Sequence, residues 1–160
     1  MNEKHSTGPI LVPVDFSETS AAALTQAVEL ARCMKRPLLV LHVVHDPGNM
    51  PGYYNQALKK KHLSRIEDSA AEMLDEFIKP FVKAHASEMK HVQLESMLVT
   101  GLPTSRILEV ASQTGACMIV MGSIGLTGWK RLMIGSIAEQ VVHLSPIPVT
   151  VVKAETKKGD

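Results

Sequence analysis

Short apolar segments alternate with longer amphipathic segments along the whole chain. Each apolar segment has the length of a strand, and each amphipathic segment repeats its apolar residues with helical spacing. The predicted strands cover about residues 10–14, 37–44, 91–99, 116–121 and 148–153. The predicted helices cover about residues 18–35, 58–87, 103–113 and 136–144. The pattern therefore predicts the order β-α-β-α-β-α-β-α-β.

Regular alternation of strands and helices is typical of a parallel sheet with helices on both faces, because its crossovers are right-handed. Segments 37–44 and 116–121 are nearly apolar throughout, as expected of strands covered on both faces. Segment 91–99 alternates more and is predicted to lie closer to an edge. Ligands bind such sheets beyond the carboxyl ends of the strands, where the strand order reverses. This rule selects the loops at 15–17, 46–57 and 122–136.

Individual residues predict where the helices begin and which side they bury. Ser17 is a good N-cap for the first helix, and Pro80 is expected to kink the second helix or to end its first part. The predicted inner stripe of the first helix consists of Leu24, Ala27, Val28, Ala31 and Met34. The predicted inner face of the second consists of Leu63, Ile66, Ala70, Met73, Leu74, Phe77 and Phe81.

Composition indicates one globular domain. The chain has 160 residues and a net charge of +1, so nothing at the level of the whole chain indicates a nucleic-acid or membrane surface. Cys33 and Cys117 lie far apart, which argues against a disulfide or zinc site, and both are expected to be buried small hydrophobes. The polar N-terminus is no signal peptide, and no apolar run reaches the roughly 20 residues of a membrane span, so a cytoplasmic location is expected. We expect tails at 1–8 and 154–160 around one domain at 9–153.

A glycine-rich stretch follows the fourth predicted strand directly. Its glycines are Gly122, Gly125, Gly128 and Gly135. Glycine lets the backbone turn with positive φ and lets a ligand approach closely, and successive N–H groups in such a turn form an anion site. Ser136 adds a hydroxyl at a helix start, and Lys130 and Arg131 could supply positive charge. Two interpretations stay open: a phosphate-binding loop, or a connecting loop followed by an N-capped helix.

Familiar phosphate motifs do not fit this stretch. GxGxxG is absent after the first strand, and GxxxxGK[ST] is absent throughout. The spacing Gly122-x2-Gly125-x9-Gly135-Ser136 resembles the nucleotide-binding signature of the universal stress protein family. Further segments that look like this family are Val12–Ser17, Leu41–Val43, Gly101-x-Pro103, Gly135–Val142 and Pro146-x-Pro148-Val149. The resemblance covers about residues 9–153, with one departure at Ile124-Gly125-Leu126, where many members have a polar or basic neighbour.

This resemblance implies a fold and a ligand. The fold is an α/β three-layer sandwich whose five-stranded parallel sheet has the order 3-2-1-4-5, which is flavodoxin-like and similar to the adenine nucleotide alpha hydrolases. The ligand is ATP or AMP, with Mg²⁺ as a candidate companion ion. By position, Asp15 and Val43 would meet the adenine–ribose end, Met121 and Gly122 would flank the ribose, and Gly125, Gly135, Ser136 and the Ile137 amide would hold phosphates. Pro13, Val14, Ser123 and Lys130 complete the candidate site.

The expected function is that of an ATP-binding regulator or sensor in the stress response. No nucleophile with a poised base can be argued from the spacing, so at most slow ATP hydrolysis is expected. The last strand, 148–153, would form a sheet edge, which pairing with the same strand of a second copy would cover in a homodimer. A weak ATPase or nucleotide-transfer enzyme remains an alternative, as does an interaction module that binds no nucleotide; the protein partner is unknown.

Three residue groups have two interpretations each. Asp15 is either a nucleotide contact or an acid that complements a helix dipole. His42 and His45 point to opposite faces of a strand, so a shared metal is not expected, and His42 is predicted to be a hydrogen-bonded core histidine. The loop at 46–57, with Tyr53 and Tyr54, is either a lid over the nucleotide or a surface loop.

Overall fold

The computed structural model describes residues 7–45, 55–124 and 134–154, and only the backbone of residues 55–64. Its five strands form one parallel sheet with the order β3-β2-β1-β4-β5, which confirms the predicted fold class and strand order. The strands are β1 Ile10–Pro13, β2 Leu38–His45, β3 Leu94–Gly101, β4 Met118–Gly122 and β5 Val149–Val152. The helices are α1 Glu18–Met34, α2 Asn55–Ala84, α3 Pro103–Gln113 and α4 Ser136–Leu144, with a short 3₁₀ helix at Glu88–His91.

Helices cover both faces of the sheet, and each face has its own apolar core. Alternate residues of β1 and β2, such as Ile10 and Val40, pack with α1 and α2. The residues between them, such as Leu11 and Leu41, pack with α3 and α4. Because both faces are covered, the central strands are nearly apolar throughout, which is the pattern that the sequence shows. None of the helices in the described residues is long and apolar enough to cross a bilayer.

Several predicted details of the helices are wrong. Met34 is 43% exposed at the end of α1, and Ile66 and Met73 are exposed on α2, where Ile78 is buried instead. Cys33, expected to be buried, is exposed as well. Pro80 lies inside α2, which continues to Ala84, so of the two effects expected of Pro80 only the end of the helix is wrong. The predictions rested on helical spacing alone. Spacing does not show that the last turn of a helix, or the edge of its apolar stripe, lies beyond the sheet and is therefore exposed.

The central strand β1 is short, and a proline ends it. Even-numbered residues of β1 bond towards β2, since the Ile10 and Val14 amides donate to Pro37 and Leu41 carbonyls at 2.9 and 2.8 Å. Odd-numbered residues therefore face β4, and Pro13 has no N–H to donate there. Pairing of β1 with β4 accordingly ends at Leu11, whereas β4 continues to Gly122. The sheet thus opens between β1 and β4, where the strand order reverses.

Candidate functional site

A cavity of about 450 Å³ lies at this opening, beyond the carboxyl ends of β1, β2 and β4 and beside the start of α4. Most of its lining is apolar, with a few polar groups. Cavities of this size and lining are typical of small-molecule sites. The lining residues are Pro13, Val14, Asp15, Ser20, Leu41, His42, Val43, Pro103, Ile107, Met121, Gly122, Ser123, Ile124, Gly135, Ser136, Ile137 and Ala138.

The structure brings most of the sequence-predicted site residues to this one cavity. Ten of the twelve line it, while Gly125 and Lys130 lie outside the described residues. Most of the loop at 46–57 also lies outside them. Sequence reasoning missed the contribution of α3, through Pro103 and Ile107, and that of Ser20 in α1. Gly101-x-Pro103 was a family-like segment, but it was not assigned to the site. For Ile107 and Ser20 the signal was the position of their helices after strand ends, which indicates an edge of the sheet and no particular side chain.

The start of α1, on one wall of the cavity, is capped by side chains of the same segment. Ser17 is the predicted N-cap, and its hydroxyl accepts from the Ser20 amide at 3.2 Å. The Asp15 carboxylate accepts from the Ser17 hydroxyl at 2.5 Å and from the Ser17 amide at 3.2 Å. Asp15 therefore fixes the N-cap serine, as expected of an acid at a helix start, and it also faces the cavity. Both interpretations of Asp15 are compatible with this geometry.

The side chain of His42 takes part in the pairing of β1 with β2 at their carboxyl ends. Its Nδ1 lies 2.8 Å from the Val14 carbonyl oxygen, and its ring lies 4.4 Å from that of Phe16, whose φ is +66°. The next bond of the β1–β2 ladder would join the Val43 amide to this same Val14 oxygen. Within the described residues no backbone bond joins them. The N–H and C=O of Val43 share the orientation of those of Leu41, two residues earlier, so they point past the end of β1 towards the cavity.

Gly122 is a glycine for a packing reason. A Cβ there would lie 2.7 Å from Thr19 Oγ1 and 2.9 Å from the Thr19 carbonyl carbon. The first turn of α1 occupies this space, and the Thr19 hydroxyl donates to the carbonyl of Ile124. The glycine at 122 thus lets α1 approach the end of β4 closely, which is a different role from the ribose contact that the resemblance implies.

Ser123 closes the base of the glycine-rich loop. Its amide donates to the Val152 carbonyl of β5 at 2.8 Å, and its carbonyl accepts from the Gly135 amide at 2.6 Å. Both ends of the loop are therefore tied to the sheet. The Gly135 amide is engaged here, so Gly135 offers a ligand no N–H in this arrangement.

The start of α4, on the opposite wall, has no such internal caps. Gly135 occupies the N-cap position with φ −64°, and no side chain caps the helix among the described residues. The first amides of a helix have no partner within it, and the helix dipole adds positive potential there. Ser136 and Ile137, in the first turn, are exposed and line the cavity. The first-turn amides and the Ser136 hydroxyl can donate several hydrogen bonds to an anion at this end.

Comparisons with known proteins identify the family. The model of the universal stress protein family matches residues 7–153. Universal stress protein YxiE of Bacillus subtilis is 32% identical, over 90% of this chain and 97% of its own length. The structure of universal stress protein UspA from Lactobacillus plantarum is 28% identical with a TM-score of 0.74, over 91% of this chain and 97% of that one. The chain belongs to the universal stress protein family.

The similar structures include a nucleotide complex, that of the universal stress protein from Archaeoglobus fulgidus with dAMP. That chain is 25% identical with a TM-score of 0.59, and the match covers 91% of this chain and 98% of that one.

Proposed function

We propose that this chain binds an adenine nucleotide in the cavity between β1 and β4 and acts as a nucleotide-dependent regulator or sensor in the stress response. The observation that carries the proposal is the pairing of two unlike features in one cavity. The uncapped first turn of α4 suits an anion, and the backbone edge of Val43 suits a base. The nucleotide in the Archaeoglobus fulgidus relative supports the same assignment.

The two ends of the cavity suit different parts of the nucleotide. Adenine offers a donor, N6–H, beside an acceptor, N1, and the C=O and N–H of Val43 can satisfy both. The phosphates belong at α4, where the amides of Ser136 and Ile137 and the Ser136 hydroxyl donate. Asp15 accepts hydrogen bonds, so it suits ribose hydroxyls and repels phosphate. ATP and AMP both fit this division, and Mg²⁺ would bind through the phosphates, because Asp15 is the one carboxylate among the described lining residues.

The direct test is calorimetric titration of the purified protein with Mg·ATP and with AMP, after acid extraction of any nucleotide that copurifies. Micromolar binding, or copurified adenine nucleotide, supports the proposal. Absence of both would contradict it and favour a module that binds partners without nucleotide. Sustained phosphate release that stops in Asp15→Ala would indicate an ATPase in place of a regulator.

We also propose a homodimer formed through β5. Among the described strands β5 pairs only with β4, and all four of its residues are half-buried. Val152 and Pro148 carbonyls bond towards β4, so Val149 and Val151 present their amides to the open edge. Antiparallel pairing of two copies would satisfy these groups with two-fold symmetry.

The matched pair Val151→Pro and Thr150→Pro tests the dimer. Val151→Pro removes an amide at the open edge, so a folded monomer is expected in sedimentation. Thr150→Pro removes an amide that faces β4, so loss of stability is expected. A Val151→Pro protein that stays dimeric would contradict pairing through β5.

A further inference from the structure

The carbonyl of Val14, just after β1, is bonded to a side chain in place of the next backbone amide. Val14 is 5% exposed, and a buried carbonyl needs a donor. The donor is the imidazole of His42, whose Nδ1 lies 2.8 Å from the Val14 oxygen. Because a carbonyl oxygen only accepts, Nδ1 carries the proton, and neutral His42 is the Nδ1–H tautomer.

The imidazole reaches this oxygen from one face of the sheet. The ring of His42 lies 4.4 Å from that of Phe16, which packs at 5.7 Å against Phe77 on the side that α1 and α2 cover. The backbone N–H groups of a strand, by contrast, lie close to the plane of the sheet. The Val14 oxygen therefore bonds towards α1 and α2, away from the line along which the Val43 amide would approach it.

The Val43 amide is left without a backbone partner within the described residues. The Val14 amide donates to the Leu41 carbonyl at 2.8 Å, so the register makes the Val14 oxygen the next acceptor in line for the Val43 amide. Val43 is half-buried and lines the cavity. A donor on a cavity wall that has no internal partner calls for an acceptor from elsewhere.

The turn after β1 holds the imidazole in place. Phe16 has φ +66°, a conformation that is unfavourable for a residue with a Cβ and that persists only where its surroundings require it. In this conformation its ring lies against His42, while its neighbours Asp15 and Ser17 bond to each other. One short turn thus fixes both the imidazole and the Asp15 carboxylate.

We propose that His42 is a positioning residue for the base of the ligand: it occupies the Val14 oxygen and so keeps the Val43 amide available in the cavity. The inference rests on the proposed function, in which the acceptor for this amide is N1 of adenine. Without the imidazole, the Val14 oxygen would be buried without a donor, and the Val43 amide is the next donor in the ladder. The ladder would then gain one bond, and the cavity would lose its donor to the base.

Two variants separate the donor from the bulk of the ring. His42→Asn carries an N–H as many bonds from Cα as Nδ1, whereas His42→Leu carries none. Hydrogen exchange of the Val43 amide is measured by NMR in the ligand-free protein, with the Leu41 amide as the reference for overall stability. Relative to this reference, we expect exchange at Val43 to be about tenfold slower in His42→Leu than in the wild type, and unchanged in His42→Asn.

Binding of the base provides the second measurement. Calorimetry compares adenosine with 1-deazaadenosine, in which a C–H replaces the N1 acceptor. We expect the wild type and His42→Asn to prefer adenosine by about tenfold, because the analogue leaves the Val43 amide unpaired. His42→Leu is expected to bind the two nucleosides about equally, since its Val43 amide is already bonded to Val14.

Three results would overturn the inference. They are equal relative exchange of Val43 in the wild type and His42→Leu, a preference for adenosine that survives in His42→Leu, and a His42→Asn protein that behaves like His42→Leu. If the wild type binds neither nucleoside, the proposed function fails. The exchange rates of Val43 in the ligand-free proteins still decide whether His42 keeps this amide available, so the two proposals fail separately.

Discussion

Two helices begin at the same cavity, and their first turns are built in opposite ways. The α1 helix is capped by Ser17, which Asp15 holds in turn, so side chains of the chain itself occupy its polar groups. The α4 helix begins at Gly135, with no side-chain cap among the described residues. Both ends carry the same dipole, but a side chain accepts from the Ser20 amide of α1, whereas no described side chain accepts from the first turn of α4.

The difference separates structural polar groups from binding groups. The serine and acid at α1 resemble a binding site in sequence, but most of their hydrogen bonds are internal. The glycine at α4 provides no side-chain cap, so it leaves the anion-binding end of a helix open. We therefore propose the phosphate site at the helix that lacks a side-chain cap, and a change of cap at either helix tests this.

The largest effect is expected from giving α4 the kind of cap that α1 has. Gly135→Asp places a carboxylate at the N-cap, where φ −64° accommodates any L-residue. It competes for the first-turn amides and repels phosphate, so we predict about 100-fold weaker ATP binding, or ~2.7 kcal/mol. Stability should be unchanged or slightly higher, since Asp is as good an N-cap as Gly or better. Calorimetric titration and thermal unfolding measure the two effects.

Gly135→Ser is the matched control, because it caps the helix without a charge. We expect a smaller loss of ATP affinity than with Gly135→Asp, at about equal stability. Equal ATP affinity in all three proteins would show that the α4 end does not hold the phosphates.

The next largest effect is expected at Gly122, which makes room for Thr19, in contrast to Gly135 at the N-cap of α4. Gly122→Ala adds a Cβ within 2.9 Å of Thr19, so α1 must move, and we predict a loss of about 1–3 kcal/mol in the free energy of unfolding. Urea denaturation measures it. Thr19→Ala in the same protein relieves the contacts with the side chain but not the one with the backbone, so partial recovery is expected. Unchanged stability of Gly122→Ala would show that Gly122 is not required for packing.

Sequence could predict the strands, their order and the edge of the sheet that binds, because apolar runs and helical spacing are local and the crossover rule is general. It could not predict that Gly122 makes room for Thr19, since residues 103 positions apart in sequence meet only in the folded chain. His42 was expected to be a bonded core histidine; its bond to Val14 agrees, but the residue is half-buried and lines the cavity. That this bond leaves the Val43 edge open depends on register, which no local pattern encodes.

The helix margins were missed for a related reason. Met34 and Cys33 sit in the last turn of α1, where a helical stripe continues but the sheet beneath it has ended.

A smaller effect is expected from Asp15, which holds the N-cap serine of α1 and also lines the cavity. Asp15→Asn keeps an oxygen that can accept from Ser17 but removes the charge, so α1 should remain capped. A hydrogen bond to a charged group is worth about 1.5–3 kcal/mol, so we predict roughly tenfold weaker binding of ATP and also of adenosine. An affinity loss confined to ATP would place Asp15 at the phosphates and contradict the proposed ribose contact.

The smallest effect on binding is expected from removing the α1 cap. Ser17→Ala should cost about 1 kcal/mol of stability and change ATP affinity little, because this end does not hold the phosphates. Denaturant melts and titration of the same preparation measure both quantities. A large loss of affinity in a protein that remains folded would mean that both helix ends bind the ligand.

The most direct measurement compares the first-turn amides of the two helices by NMR as ATP and adenosine are added in turn. The account predicts that the Ser136 and Ile137 amides shift strongly with ATP and little with adenosine, whereas the Glu18–Ser20 amides shift little with either. Large ATP-specific shifts at Glu18–Ser20, with none at Ser136 and Ile137, would contradict the assignment of the phosphates to α4.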